Sequence, residues 1–139
     1  MNRALLDTDI FSEVLKGHDL KVGLNAATYR QAFGTLTVSV VTVMEVAKGL
    51  HKMHREPEIQ AVLGRLASEE VLGFDIHAAE MAGRIHADLE RTGQPIGWAD
   101  TVIAALALQH GIELITGNST HYRRIQHLGY PLVLGNWRN

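Results

Sequence analysis

Asp7, Glu45 and Asp100 lie far apart along the chain, yet each falls where the residue pattern marks an apolar strand handing over to a helix. Asp7 closes Ala4-Leu5-Leu6, Glu45 follows Leu36-Thr37-Val38-Ser39-Val40-Val41, and Asp100 opens the apolar helix Thr101 to Leu108. In an open α/β sheet the C-terminal ends of parallel strands converge on one crevice, so distant residues meet there. Carboxylates gathered in this way repel, by roughly 3 kcal/mol for a pair about 5 Å apart at an effective dielectric of about 20. A divalent cation that prefers oxygen ligands removes that cost. A Mg²⁺ or Mn²⁺ site is therefore the first expectation.

Each acid also has a purely structural use. Asp7 or Asp9 can cap the helix that follows, with Asp9 the better capping candidate, which leaves the other free for chemistry. Thr42-Val43-Met44-Glu45 fits the S/T-x-x-E capping box, in which glutamate reaches back to the cap residue's N–H. Asp100 suits the positive end of a helix, with Thr101 as an alternative cap. Asn118, after Thr116-Gly117, can cap the final helix or offer its amide oxygen to a metal-bound water. Thr116 can hydrogen-bond a carboxylate or phosphate, and Thr8 and Asp9 are supporting positions beside Asp7. His51 and His54 have i, i+3 spacing for zinc but no identifiable third ligand, which favours surface histidines. Trp98 can stack on a base or serve core or interface packing, and packing is the simpler reading.

These residues need elements to position them. Arg3 to Asp7 reads as a short buried strand, followed by a helix from about Ile10 to Lys16 that Gly17 stops. A second helix spans Asp19 to Phe33. Thr37 to Val41, rich in valine, suits an interior parallel strand, and a helix follows from Val43 to about His54. Ile59, Val62, Leu63 and Leu66 stripe a helix within Glu56 to Glu70. Val71 to Asp75 is a strand, and His77 to Arg91 a helix closed by Gly93. Gln94 to Trp98 is a loop into the apolar helix, which Gly111 ends. Ile112 to Thr116 is a strand, a short helix starts at Gly117-Asn118-Ser119-Thr120, and Pro131 to Leu134 is an edge strand. Strands alternating with helices predict one parallel α/β sheet in a single domain, residues 1–139.

With 139 residues, 46% hydrophobic and 20% charged, the chain can bury a sizeable core. Cysteine is absent, which excludes disulfides and cysteine-ligated metals. No signal segment opens the chain, and Val102 to Leu108 is too short to span a bilayer, so a cytoplasmic protein with no membrane association is expected. The net charge of −2 does not advertise a polyanion partner. Its distribution says more: no acid follows Glu113, whereas Arg123, Arg124 and Arg138 do, and Lys48, Lys52 and Arg55 lie beside Glu45. Either set suits phosphates, or simply a solvated helix face.

Four stretches together resemble the PIN-domain ribonucleases, and within them the VapC-type toxins of toxin–antitoxin pairs. They are Leu5-Leu6-Asp7-Thr8-Asp9, Ser39 to Gly49 with Glu45 in place, Pro95 to Ala105 around Asp100, and Leu114 to Ile125. Asn136-Trp137 is similar to a frequent ending of the family. The resemblance implies a three-layer sandwich with a central parallel sheet of about five strands flanked by helices. It also implies a Mg²⁺- or Mn²⁺-dependent endoribonuclease that a cognate antitoxin inhibits, usually as a homodimer. Transfer and ribosomal RNA are among the family's substrates. Asp7, Glu45 and Asp100 carry over as catalytic metal ligands, and Asn118 less directly. Many relatives have a further acid in the fourth stretch, where this chain offers only Asn118 and His121.

A PIN-like module could bind nucleic acid or protein without cutting. Asp7-Thr8-Asp9 is also similar to the nucleophile motif of haloacid-dehalogenase-like phosphatases, and receiver domains gather acids at strand ends. Both of those need a late lysine, and no lysine follows Lys52.

Overall fold

Successive side chains on a strand point to opposite faces, and in Ala4-Leu5-Leu6 both faces are apolar and buried. A segment of this kind must lie between two layers. In a computed structural model of the chain, describing residues 1–139, it does. In chain order the elements are β1 (Ala4–Leu6), α1 (Thr8–Lys16), α2 (Leu20–Phe33), β2 (Thr37–Ser39) and α3 (Val40–Lys52). A 3₁₀ turn (Glu56–Glu58), α4 (Ile59–Ala67), β3 (Glu70–Leu72), α5 (Ile76–Arg91) and α6 (Trp98–His110) follow. The chain closes with β4 (Glu113–Ile115), α7 (Ser119–His127) and β5 (Leu134–Gly135).

The two faces of β1 feed two separate cores. Leu5 joins Leu114, Ile103, Leu106, Ile85 and Tyr122 on the side of α5, α6 and α7. Ala4 and Leu6 join Ile115, Val38, Phe11, Tyr29 and Trp137 on the side of α1 and α2. The expected three-layer α/β sandwich is thus present. Helix α6 is buried from Thr101 to Ala107, as a helix apolar on every side must be. No helix is long and apolar enough to cross a membrane.

Five short strands form and every ladder is parallel, but the last is Leu134–Gly135 rather than Pro131–Leu134, the third is Glu70–Leu72 rather than Val71–Asp75, and the ladders do not make one continuous sheet. β4 lies between β1 and β5, pairing Leu5 with Leu114 and Ile115 with Gly135. β2 pairs with β3 separately, Val38 opposite Val71. β1 and β2 are neighbours without a ladder between them. The Tyr29 hydroxyl fills that seam: it accepts from Ala4 N at 3.1 Å and lies 3.0 Å from Ala4 O and 2.8 Å from Thr37 Oγ1. Glu70 clamps the same seam, accepting from Arg3 and from Thr37 Oγ1.

Two element boundaries differ from the sequence reading in ways that matter for the site. Val40 and Val41 belong to α3, not to the strand before it. Ser39 caps α3 by accepting from Thr42 N at 3.4 Å, so Thr42 is not the cap and Glu45 takes no part in a capping box. Helix α6 starts at Trp98 with Gly97 as its cap, which puts Asp100 in its first turn and Thr101 one residue further in.

Candidate functional site

Asp7 follows β1 directly and caps α1, its Oδ1 accepting from Thr8 N at 2.8 Å. Its Oδ2 accepts from Thr116 Oγ1 at 2.8 Å and from the Tyr122 hydroxyl at 3.0 Å. Thr116 follows β4 and Tyr122 comes from α7, so three elements aim donors at one carboxylate. Asp9, expected to be the better cap, is instead inside the first turn of α1. Its Oδ2 accepts from Gly117 N at 2.9 Å and ties α1 to the loop after β4.

Tyr122 is fully buried and its hydroxyl also lies 3.3 Å from Asp100 Oδ1. One phenolic proton cannot serve two carboxylates at once, and the shorter contact is to Asp7. Asp100 Oδ2 meets His121 Nδ1 at 2.9 Å. The Asn118 amide lies 3.1 Å from the same ring nitrogen. With Nδ1–H donating to Asp100, the amide is best placed with its oxygen toward the ring, because two donors cannot share a contact. Asn118 therefore makes no side-chain cap on α7, and its backbone N–H donates to Thr116 Oγ1 at 2.9 Å.

Glu45 stands in the second turn of α3 rather than at a strand end. Its Oε1 accepts from Thr8 Oγ1 at 2.6 Å, and Thr8 Oγ1 lies 2.9 Å from Thr42 Oγ1. The structure thus places Asp7, Asp100, Thr116, Asn118 and His121 in one hydrogen-bonded set. Glu45 joins it through Thr8, the residue next to Asp7, without bonding either aspartate. As the side chains stand, no three acids or histidines are placed to hold a metal ion, here or at His51 and His54.

The electrostatics favour a cation nonetheless. Burial pushes the Asp7 carboxyl up to about 6; the Thr116 hydrogen bond opposes this, and the Asp9 and Asp100 carboxylates add to it. The Tyr122 phenol is driven far above its ordinary range by burial and by the charges of Asp7 and Asp100, so it remains a donor. The groups available are carboxylate, hydroxyl and amide oxygens with one imidazole. That donor set fits a hard divalent cation, which would relieve the crowding of negative charge.

Tyr122 was missed from the sequence, as was Thr42 as a partner of Thr8. A signal existed for the first: Tyr122 and Ile125 are the buried i, i+3 pair of an otherwise polar helix. Trp98 stacks on the buried His86 ring, with centroids 3.7 Å apart and planes 11° apart. It lines an apolar groove of about 410 Å³ with Val40, Met44, Phe74 and Val102. Of the basic residues, Arg124 donates to Pro95 O, and Arg138 pairs with Glu13 and Asp19.

The PIN domain family model matches residues 4–127. The chain is 31% identical over 130 residues to the tRNA(fMet)-specific endonuclease VapC of Shigella flexneri, covering 90% of this chain and 93% of that protein. To the protein of the same name from Salmonella typhimurium it is 33% identical over 128 residues, covering 90% and 93%. Among solved structures, DNA-bound VapBC from Salmonella typhimurium superposes with a TM-score of 0.79 at 27% identity, covering 99% of each chain. VapBC2 from Rickettsia felis, bound to a promoter DNA fragment, gives 0.79 at 25% identity, covering 96% of this chain and 98% of that one.

Proposed function

We propose, from the premise that the chain belongs to the PIN domain family, that residues 1–139 form one PIN domain. It acts as a divalent-metal-dependent endoribonuclease, the toxin of a toxin–antitoxin pair. Its work is in the cytoplasm, its partners are RNA and a cognate antitoxin, and it functions as a homodimer. The observation that carries this reading is the convergence of Asp7 and Asp100 on one buried phenolic hydroxyl. The kinship to VapC endonucleases over nine-tenths of the chain supports it.

Asp7 and Asp100 would hold the cation, with Glu45 and the Asn118 amide oxygen completing its surroundings. Mg²⁺ and Mn²⁺ both suit these oxygens. When bound, the cation supplies an acidified water and offsets negative charge on the phosphate. The chain's own residues do the rest. Thr116 and Tyr122 fix the direction of the Asp7 carboxylate. His121 holds Asp100 beside it through Nδ1. Thr8 holds Glu45 within one residue of Asp7, where Glu45 can orient the attacking water.

Purified, partner-free protein incubated with structured RNA and Mg²⁺, Mn²⁺ or EDTA tests this directly. Cleavage is expected with metal and not with EDTA, and Asp7→Asn or Asp100→Asn should each lower it by about a hundredfold or more. Undiminished metal-dependent cutting by both variants would overturn the assignment. The second reading, a PIN-like binder without chemistry, draws on Glu45 being bonded to Thr8 rather than turned to either aspartate. RNA binding with no metal-dependent product would favour it.

A further inference from the structure

The basic residues that the sequence offers to phosphates differ in how far they are already engaged. Arg138 is bound to Glu13 at 3.1 Å and lies 3.6 Å from Asp19. Arg124 donates to Pro95 O at 2.8 Å, and Arg55 grips both carboxylate oxygens of Glu58. Arg123 is exposed and makes no such bond. It lines a polar cavity of about 240 Å³ together with Thr116, Ser119, Gln126, Asn136 and Asn139, and no aspartate or glutamate borders that cavity.

The cavity adjoins the carboxylate site through a single residue. Thr116 is their common wall: its hydroxyl donates to Asp7 Oδ2 and accepts from Asn118 N. Beyond Thr116 the chemistry changes sign, from a crowd of carboxylates to a guanidinium, a serine hydroxyl and an asparagine amide. A free guanidinium among neutral donors is what a phosphate requires, since a phosphate presents only acceptors and negative charge. A strand cut beside Asp7 and Asp100 must put its neighbouring backbone phosphate somewhere close by.

We propose that this cavity is the subsite for the RNA phosphate adjacent to the scissile one, with Arg123 as the cation that holds it. The assignment rests on the nuclease reading above. Arg123 is a binding residue here: it sets how tightly and in which register the strand lies, while the chemistry stays with the acids. An unspecific attraction would be spread over Lys16, Lys48 and Lys52 as well. A subsite concentrates the effect on one side chain.

The experiment titrates metal-free protein, in EDTA, into a 5′-labelled single-stranded oligoribonucleotide across a series of salt concentrations. Wild type, Arg123→Ala, Arg123→Lys and, as a remote exposed control, Arg65→Ala on α4 are compared. Arg123→Ala is expected to weaken binding by about tenfold. It should also lower the slope of log affinity against log salt by about 0.7, as losing one phosphate contact on a single strand requires. Arg123→Lys should keep the slope but recover only part of the affinity, because it retains the charge without the planar fork. Arg65→Ala should match wild type. With Mn²⁺ added, Arg123→Ala should raise KM much more than it lowers kcat. Wild-type affinity and slope in Arg123→Ala, in a protein that still cuts RNA, would overturn the subsite and leave the nuclease standing. Arg123-dependent binding by a protein that never cuts would overturn the nuclease and, with it, the register beside a scissile bond, leaving Arg123 as a phosphate contact alone.

Discussion

The Asp7 carboxyl sits in a place that suits a metal ligand better than it suits a stable apo protein. It is buried, it accepts three hydrogen bonds, and it has Asp9 and Asp100 for company. Burial outweighs the hydrogen bonds, and the group titrates at about 6 against an ordinary value of 3.8. A carboxyl raised in the folded state binds more protons there than in the unfolded chain. Its contribution to stability is therefore present below the unfolded value and is lost as pH rises through the folded value. At pH 7 the ionised group costs on the order of 2–3 kcal/mol. Asp7→Asn removes the charge, and its amide can still be accommodated, since the hydroxyls of Thr116 and Tyr122 can turn to accept. In EDTA, urea unfolding at pH 7 should find Asp7→Asn more stable than wild type, with the gap closing by about pH 4. A less stable variant at pH 7 would show that the hydrogen bonds, not burial, dominate at this position.

At the scale of elements, the site depends on how loops are pinned to helix starts. The turn after β4 is pressed against α1: a Cβ on Gly117 would come within 2.5 Å of Asp9 Oδ2, the oxygen that accepts from Gly117 N. Gly117→Ala must turn the Asp9 carboxylate aside and so break that bond. Because the group displaced is the end of a side chain at an exposed turn, the expected cost is about that of the lost hydrogen bond, roughly 0.5–1.5 kcal/mol. The cause can be separated from any general effect of alanine by a double-mutant cycle with Asp9→Ala. Once the carboxylate is gone, Gly117→Ala should cost less than about 0.5 kcal/mol. Additive losses would mean that the contact with Asp9 is not what requires glycine.

Across the whole molecule, the two layers of core are joined through a sheet that is not hydrogen-bonded from edge to edge. The Tyr29 hydroxyl closes the seam between β1 and β2, and Trp137 near the C-terminus packs 5.9 Å from the Tyr29 ring while Asn25 holds its carbonyl. Tyr29→Phe leaves the buried Ala4 N–H and C=O without the Tyr29 hydroxyl, while Thr37 keeps its bond to Glu70. Stranded buried groups cost about 1–3 kcal/mol each, so roughly 2–4 kcal/mol of global stability should be lost. The seam lies beside the strand that leads into Asp7, so RNA cleavage should fail at a lower temperature in this variant than in wild type. An unchanged urea midpoint would show that the Glu70 clamp holds the two halves without Tyr29.

Much of this could be read along the chain, because the signals are local. Valine-rich runs, the apolar stripe of α5, the all-apolar α6 and the glycines after α1 and α6 state their elements within a few residues, and alternating strands and helices then imply a parallel α/β sandwich. Asp7 and Asp100 could be chosen because each stands at the start of a helix, a local property. The start of α3 could not, since Val40 and Val41 are β-branched and resemble strand, and only their packing and the Ser39 cap draw them into the helix. Nor could Tyr122, because joining Asp7 to Asp100 depends on β1 and β4 being adjacent while α6 and α7 lie over the same face. Strand order and helix placement are set by contacts between residues far apart in sequence. Which carboxylates meet at one hydroxyl, which arginine stands unpaired over the Thr116 cavity, and where a tyrosine stands in for a ladder are properties of those contacts alone.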